Sequence, residues 1–340
     1  RKQMIIGLII ILLLVLFLPF TNFIGRHLEP FLFVMGVISV FVSQVWSKEL
    51  IIEALTSPIY ITIAVLAAGV LFKWFQKPFE ASISKISNIV PYRLFIALFV
   101  IILGFISSII TAIIAAIILV SVISVLKMDR QSEIRLVILA CYAIGLGAVL
   151  TPIGEPLSTI VTAKLDKEFF YLLKLVGVYI IPGVIIFGIL AAFMIKPRSN
   201  AEDNGRKREV ETYGQILYRG FNIYLFIMAL TFLGAGFEPF IERFLLHLDP
   251  LILYWINIVS AILDNATLAA AEISPQMTVP AIKAILLGLT ISGGMLIPGN
   301  IPNIIAAANL RITSLEYARF AVPVGFVAMV AYFVVIIIFI

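Results

Sequence analysis

Glu155 and Asp264 stand deep inside hydrophobic stretches of a chain that otherwise keeps its charges at segment ends. Each lies in a helix-breaking context, Thr151-Pro152-Ile153-Gly154-Glu155-Pro156 in one case and Ser260-Ala261-Ile262-Leu263-Asp264-Asn265 in the other. A carboxylate near the centre of a bilayer costs on the order of 2.5–3.5 kcal/mol, so such residues mark an ion or proton path. No apolar stretch carries a central Lys or Arg that would make either acid half of a structural ion pair. The chemistry open to both is reversible binding of a cation or a proton.

The surrounding residues supply hard oxygen donors. One set joins Ser107, Ser108 and Thr111 with Thr151, Gly154 and Glu155; a second joins Ser260, Asp264, Asn265 and Thr267 with Gly299, Asn300 and Asn303. Neither contains a thiolate or an imidazole, which suits Na⁺ or another monovalent cation and argues against copper or zinc. Na⁺ is expected at Asp264, Asn265 and Glu155. The ion is then substrate or coupling ion, and no cofactor is expected. Pro152, Pro156, Pro298 and Pro302, with Gly299, interrupt the helices, because proline lacks an N–H and disfavours helix before it. Freed carbonyls become cation ligands, and half-helix N-termini offer positive dipole ends. Taken singly, Ser107 or Thr111 reads equally as a hydroxyl bonded to its own helix, and Asn303 as an interhelical hydrogen-bonder. Glu53 and Glu272, nearer segment ends, read as interfacial, as do His27 and His247. Cys141 is alone, so no disulfide framework is possible.

The elements that must position these groups follow from composition. Of 340 residues 62% are hydrophobic and 13% charged, with mean hydropathy +1.15; a soluble domain carries about 25% charged residues. The fold class is all-α, a polytopic membrane protein whose first partner is the lipid bilayer. The net charge of +5 is scattered among loops, which excludes a nucleic-acid surface. Residues 1–72 form scaffold spans, followed by a polar connector, Lys73–Arg93. The apolar run 94–126 would reach about 50 Å as one helix, too long for one crossing. It is expected to be a re-entrant hairpin with Ser107, Ser108 and Thr111 near its tip. A broken helix over 134–162 and an intact one over 168–195 complete a first repeat core, 73–195. The polar stretch 196–215 reads as a cytoplasmic linker. The second repeat, 216–340, holds a span to 237, a hairpin over 249–275, a broken helix over 279–308 and a final helix over 316–340.

The two parts align. Ile106-Ser107-Ser108-Ile109-Ile110-Thr111-Ala112 matches Val259-Ser260-Ala261-Ile262-Leu263-Asp264-Asn265 without a gap, and Leu150–Pro156 matches Leu296–Pro302 with proline on proline. Paired interruptions of this kind point to a transporter binding site. With the N-terminus outside, the cytoplasmic segments would hold 16 of the 24 Lys and Arg residues, as the positive-inside rule requires. The two repeats would then be inverted in the membrane, with eight crossings and two hairpins.

The motifs Thr-Pro-Ile-Gly-Glu-Pro (151–156) and Ser-Ala-Ile-Leu-Asp-Asn-Ala-Thr-Leu (260–268) resemble those of the ion transporter superfamily, which includes NhaD-type sodium/proton antiporters, arsenite permeases and divalent-anion/sodium symporters. The resemblance implies inverted repeats, a mobile transport domain built from hairpins and broken helices, and a scaffold that often dimerises, so a homodimer is among the expected partners. Ile110-Thr111-Ala112 departs from the Asp-Asn that such proteins often carry at the first tip. No Ser-Asn-Thr triplet of the dicarboxylate branch occurs at either tip, and no arginine is at hand to hold a carboxylate. The expected function is secondary cation transport, a Na⁺/H⁺ antiporter, in a prokaryotic cell or inner membrane. The alternative is a Na⁺-coupled symporter of a small anion or organic acid. A channel is weighed against by the paired hairpins. The chain is not expected to be an enzyme: the aspartate pair of an intramembrane protease is missing, and no nucleotide-binding motif is present.

Overall fold

The computed structural model describes residues 1–196 and 210–340, and every regular element among them is helical. The greater part of the linker expected over 196–215 lies outside the described residues. The helices are α1 (Lys2–Phe17), α2 (Asn22–Arg26), α3 (Leu28–Ser43), α4 (Lys48–Thr56), α5 (Ile59–Ile89), α6 (Tyr92–Leu126), α7 (Arg130–Ala148), α8 (Pro156–Lys164) and α9 (Tyr171–Met194). After the linker come α10 (Tyr213–Gly236), α11 (Glu238–Phe244), α12 (Pro250–Ile256), α13 (Ser260–Leu263), α14 (Asn265–Glu272), α15 (Val279–Ser292), α16 (Ile301–Leu310) and α17 (Ser314–Phe339).

Helix starts follow local chemistry. Asp129 caps α7 by accepting the Ser132 N–H at 3.2 Å, and Thr278 caps α15 by accepting from Ala281 at 3.3 Å. Thr212 with Gln215, and Thr313 with Glu316, form reciprocal capping boxes at the starts of α10 and α17. Each such cap is worth about 1 kcal/mol. Among the described residues, seven helical stretches are long and apolar enough to cross a membrane, from Lys2–Phe20 to Ser314–Phe339, as a multi-pass membrane protein requires. Large apolar side chains such as Ile10, Phe17, Val178, Phe193, Val327 and Phe339 project outward from α1, α9 and α17, a surface suited to lipid and not to water.

One segment differs from expectation. The span expected to end near residue 72 continues as α5 to Ile89, so most of the polar connector is helical. The backbone leaves helical geometry at Phe75 (φ −108°, ψ 19°), three residues before Pro78. A proline ring crowds the carbonyl four residues back, here that of Trp74, and kinks a helix without ending it.

At the centre lies α7, buried along almost its whole length and packed by α6, α9, α15, α16 and α17. Ala140, Ala143, Gly145 and Gly147 let these neighbours approach closely, since lipid supplies no hydrophobic drive between helices and packing must substitute for it. Tyr142 stacks on Phe187 at 5.1 Å and donates to the Ala321 carbonyl at 2.6 Å, tying α7 to α9 and α17. The two acids lie at the edge of this core.

Candidate functional site

Two interruptions share one backbone geometry. α6 leaves helical space at Thr111 (φ 82°, ψ 155°), and α13 gives way to α14 at Asp264 (φ 75°, ψ 128°). A positive φ is uncommon outside glycine and costs about 1–3 kcal/mol, so the surroundings must hold it. These are the positions that the Ser107 and Ser260 segments align with each other. Beside Thr111, the Ala112 N–H donates to the Gly154 carbonyl at 2.8 Å, joining the first interruption to the break after α7.

The second pair of interruptions is equally matched. After α7 the chain passes through Thr151–Gly154 and restarts as α8 on Glu155 (φ −157°, ψ 165°). After α15 it passes through a 3₁₀ turn, Ile297–Gly299, and restarts as α16 on Asn300 (φ −152°, ψ 146°). A Cβ on Gly154 would run into the Ala148 carbonyl, and one on Gly299 into the Gly293 carbonyl, so both turns need glycine for close approach. Three residues into each restarted helix, Ser158 donates to the Ala148 carbonyl at 3.4 Å and Asn303 to the Gly293 carbonyl at 3.0 Å. These contacts equate Gly154 with Gly299 and Glu155 with Asn300, one residue away from the proline-on-proline alignment. Pro156 at the first helical position and Pro302 at the second are both tolerated, because N–H groups of the first turn have no intrahelical acceptor.

The acids open onto adjoining cavities. Glu155 borders one of about 380 Å³, with Thr111, Gly154, Thr159 and Asn300 in its wall. Asp264 borders one of about 570 Å³, with Thr267, Asn300, Glu53 and Glu238. Pro156, Ile160, Asn300 and Ile301 line both, and Glu155 lies within Coulombic reach of Asp264. Glu155 is 6% exposed and its Oε1 has no hydrogen-bond partner. The Asp264 carboxyl lies beside the N–H groups of Asn265 and Ala266 at the start of α14. Among the described residues, no Lys or Arg lines either cavity. Two further cavities, of about 690 and 510 Å³, have the opposite balance: Arg26, Lys73, Arg130, Arg219 and Arg311 outnumber Glu29, Glu133 and Glu211. α16 lies between them and the acids, its Ile304 and Ala307 facing the first basic cavity while Ile301 faces the acidic ones.

The other expected ligands sort into two groups. Thr111, Gly154, Thr267 and Asn300 line the cavities. Ser107, Ser108, Thr151, Ser260 and Asn303 hold the breaks together. Ser107 donates to the carbonyls of Gly104 (2.6 Å) and Ile144 (3.2 Å), Ser108 to Phe105 (2.7 Å), and Thr151 to Ser108. Ser260 and Ser292 share a hydrogen bond of 2.7 Å, and Asn303 also bonds the Leu296 carbonyl at 3.0 Å. Asn265 is buried against Gly293, its Nδ2 without a partner. Sequence reading does not single out Thr159 as a cavity residue, although its place one helical turn beyond Glu155 is a signal. Glu53 is exposed at the rim, whereas Glu272, expected at the interface, is buried at 5% exposure.

A family model described as a protein of unknown function (DUF1646) matches residues 5–339, nearly the whole chain. The chain belongs to the DUF1646 family. No curated protein matches it. Both pairs of interruptions, both acids and all four cavities fall inside the DUF1646 match.

Proposed function

We propose that the chain is a secondary active transporter of a monovalent cation, a Na⁺/H⁺ antiporter, with Glu155 and Asp264 as its ion- and proton-binding carboxylates. The observation that carries this reading is the convergence of two acids on adjoining cavities with no basic residue in their lining. A hard cation entering there meets carboxylate, amide and hydroxyl oxygens from both breaks. Binding favours the ionised acids and displaces protons; protonation on the other side releases the cation. This competition couples the two fluxes without a nucleotide.

In the same reading, the matched interruptions belong to two inverted repeats, with hairpins whose tips are Thr111 and Asp264. The side chains of Asn257 and Glu272, which flank Asp264, lie beside each other; along one straight helix they would be separated by roughly 22 Å. That supports a reversal at Asp264. Contacts between distant segments agree with the loop-charge topology. Lys164 donates to the Ala270 carbonyl, both outside, and Arg130 to the Leu310 and Arg311 carbonyls, both inside. α8 packs on α14 while α16 packs on α6, so each restarted helix leans on the other half's hairpin. Alternating access would move this interlocked unit, with α16 as the wall between acidic and basic cavities.

A second reading, Na⁺-coupled uptake of a small anion, has one observation in its favour: α8, α14 and α16 all begin at the acidic cavities, and helix N-termini attract anions. Proteoliposomes with a trapped pH dye separate the two. Sodium-driven proton movement that disappears in both Asp264→Asn and Glu155→Gln supports antiport. Sodium uptake that requires an added anion, with no proton flux, replaces it with symport.

A further inference from the structure

Beside the Asp264 cavity, one buried polar pair has no chemical role in the reading above. Asn257 sits in the 3₁₀ turn between α12 and α13 and is fully buried; Glu272 ends α14 at 5% exposure. Their side chains lie close to each other. Yet neither Glu272 oxygen, nor the Asn257 Oδ1 or Nδ2, has a hydrogen-bond partner. An unsatisfied buried polar group is costly, and such groups in a native interior call for a functional account.

The donor inventory sets what this pair can bind. An ionised carboxylate only accepts, so it can take the Nδ2–H of Asn257 but faces Oδ1 without a proton between them. A protonated carboxyl donates its O–H to Oδ1 and accepts from Nδ2–H, closing a ring in which every group is paired. One carboxyl and one amide are too few ligands for a metal ion in a dry interior. The charged groups on elements packed against α14 are committed elsewhere, stand at the cavity or, as Glu242, are exposed. Lys164 of α8 donates to the Ala270 carbonyl, and Lys283 of α15 lies over the Tyr179 ring. α11 carries Arg243, over Phe244, with Glu238, which lines the Asp264 cavity, and Glu242; α13 carries none. Among the described residues Glu272 has no ion pair.

Position adds an independent argument. Asp264, Thr267, Ala270 and Ala271 of the same hairpin line the Asp264 cavity, and Glu272 is the next residue. In the aligned first hairpin the corresponding positions are Gly104 and Leu119, so the pair belongs to the second half alone.

We propose that Glu272 and Asn257 form a proton-binding site, which takes one proton from hydronium to form the carboxyl O–H and returns it to water as hydronium. Its role, loading and unloading protons for the Asp264 cavity, rests on the antiport reading; the site itself does not. Infrared difference spectroscopy across a pH step, on the full chain in lipid vesicles, reads carboxyl C=O bands directly. Glu272→Gln keeps an amide that can ring-pair with Asn257, so the interior stays filled. One acid band of the parent is expected to vanish in Glu272→Gln, to persist in Asp264→Asn and to shift in Asn257→Leu. An unchanged band set in Glu272→Gln overturns the proposal. If that variant does not fold, the parent and Asn257→Leu with isotope-labelled glutamate decide: a labelled band that shifts supports the site, and one that does not sinks it. A parent without sodium-coupled proton flux removes the antiport reading while leaving this infrared result decisive.

Discussion

In the first half of the molecule the helix interrupted at positive φ breaks at Thr111 and the helix restart is Glu155; in the second, the matching interruption is Asp264 and the restart is Asn300. The backbones match, but the acid has moved from the restart to the interruption. The bridging hydroxyl differs as well, although Ser260 stands where the first half has Ser107. Ser107 on α6 reaches the carbonyls of Gly104 and Ile144. Ser292 on α15, where the first half has Gly147, reaches those of Asn257 (2.9 Å) and Gly288 (2.6 Å). The comparison teaches that the frame is held by backbone contacts, which sterics dictate, while polar side chains trade places among positions that face the same space. Each half then supplies one acid to the adjoining cavities.

The sharpest way to break this comparison is to remove one acid at a time. Asp264→Asn and Glu155→Gln are each expected to weaken cation binding by about 1.5–3 kcal/mol, roughly 10- to 150-fold, as for loss of a charged partner. Sodium binding to purified protein in detergent checks this, and a variant that binds like the parent would assign the site to one half. In the parent, half-saturation for sodium should rise as pH falls, because protons compete for the same carboxylates; a pH-independent value would uncouple them.

A transplant sharpens the argument. Asn300 borders both cavities, so Asn300→Asp added to Asp264→Asn returns an acid to the shared wall. Sodium binding lost in the single variant is expected to return in part. No recovery would mean that the acid must sit at the interruption itself.

The frame is tested by its two glycines. Gly154→Ala and Gly299→Ala each push a methyl into a carbonyl and should destabilise by about 1–3 kcal/mol, read as a lowered thermal midpoint in detergent. A large difference between them would deny that the two turns are equivalent. The smallest effect is expected at the bridging hydroxyls. Ser107→Ala removes a bridge worth about 0.5–1.5 kcal/mol. Ser292→Ala should cost less, because the Ser260 hydroxyl beside it remains. Equal losses would show that Ser260 does not substitute.

Several features were legible before any fold was known. Long apolar runs, the two unpaired acids, the proline-marked breaks and the paired segments are local signals: bilayer thickness acts through run length, and a missing N–H acts wherever proline stands. The helical class and the membrane-crossing stretches followed from them. The connector after residue 72 is legible as polar, but not that α5 kinks at Phe75 and continues through it to Ile89.

The sequence by itself determined that this is a helical membrane chain with two acids at interrupted helices, since hydrophobicity and backbone chemistry act residue by residue. Only the tertiary structure decided that Ser107, Thr151 and Asn303 hold the breaks while Thr111, Thr267 and Asn300 face the cavities. It alone equated Gly154 with Gly299 and buried Glu272 against Asn257. The physical reason is that a hydroxyl's partner, a glycine's neighbour and an acid's exposure are set by helices distant in the chain, and packing alone chooses which of them meet.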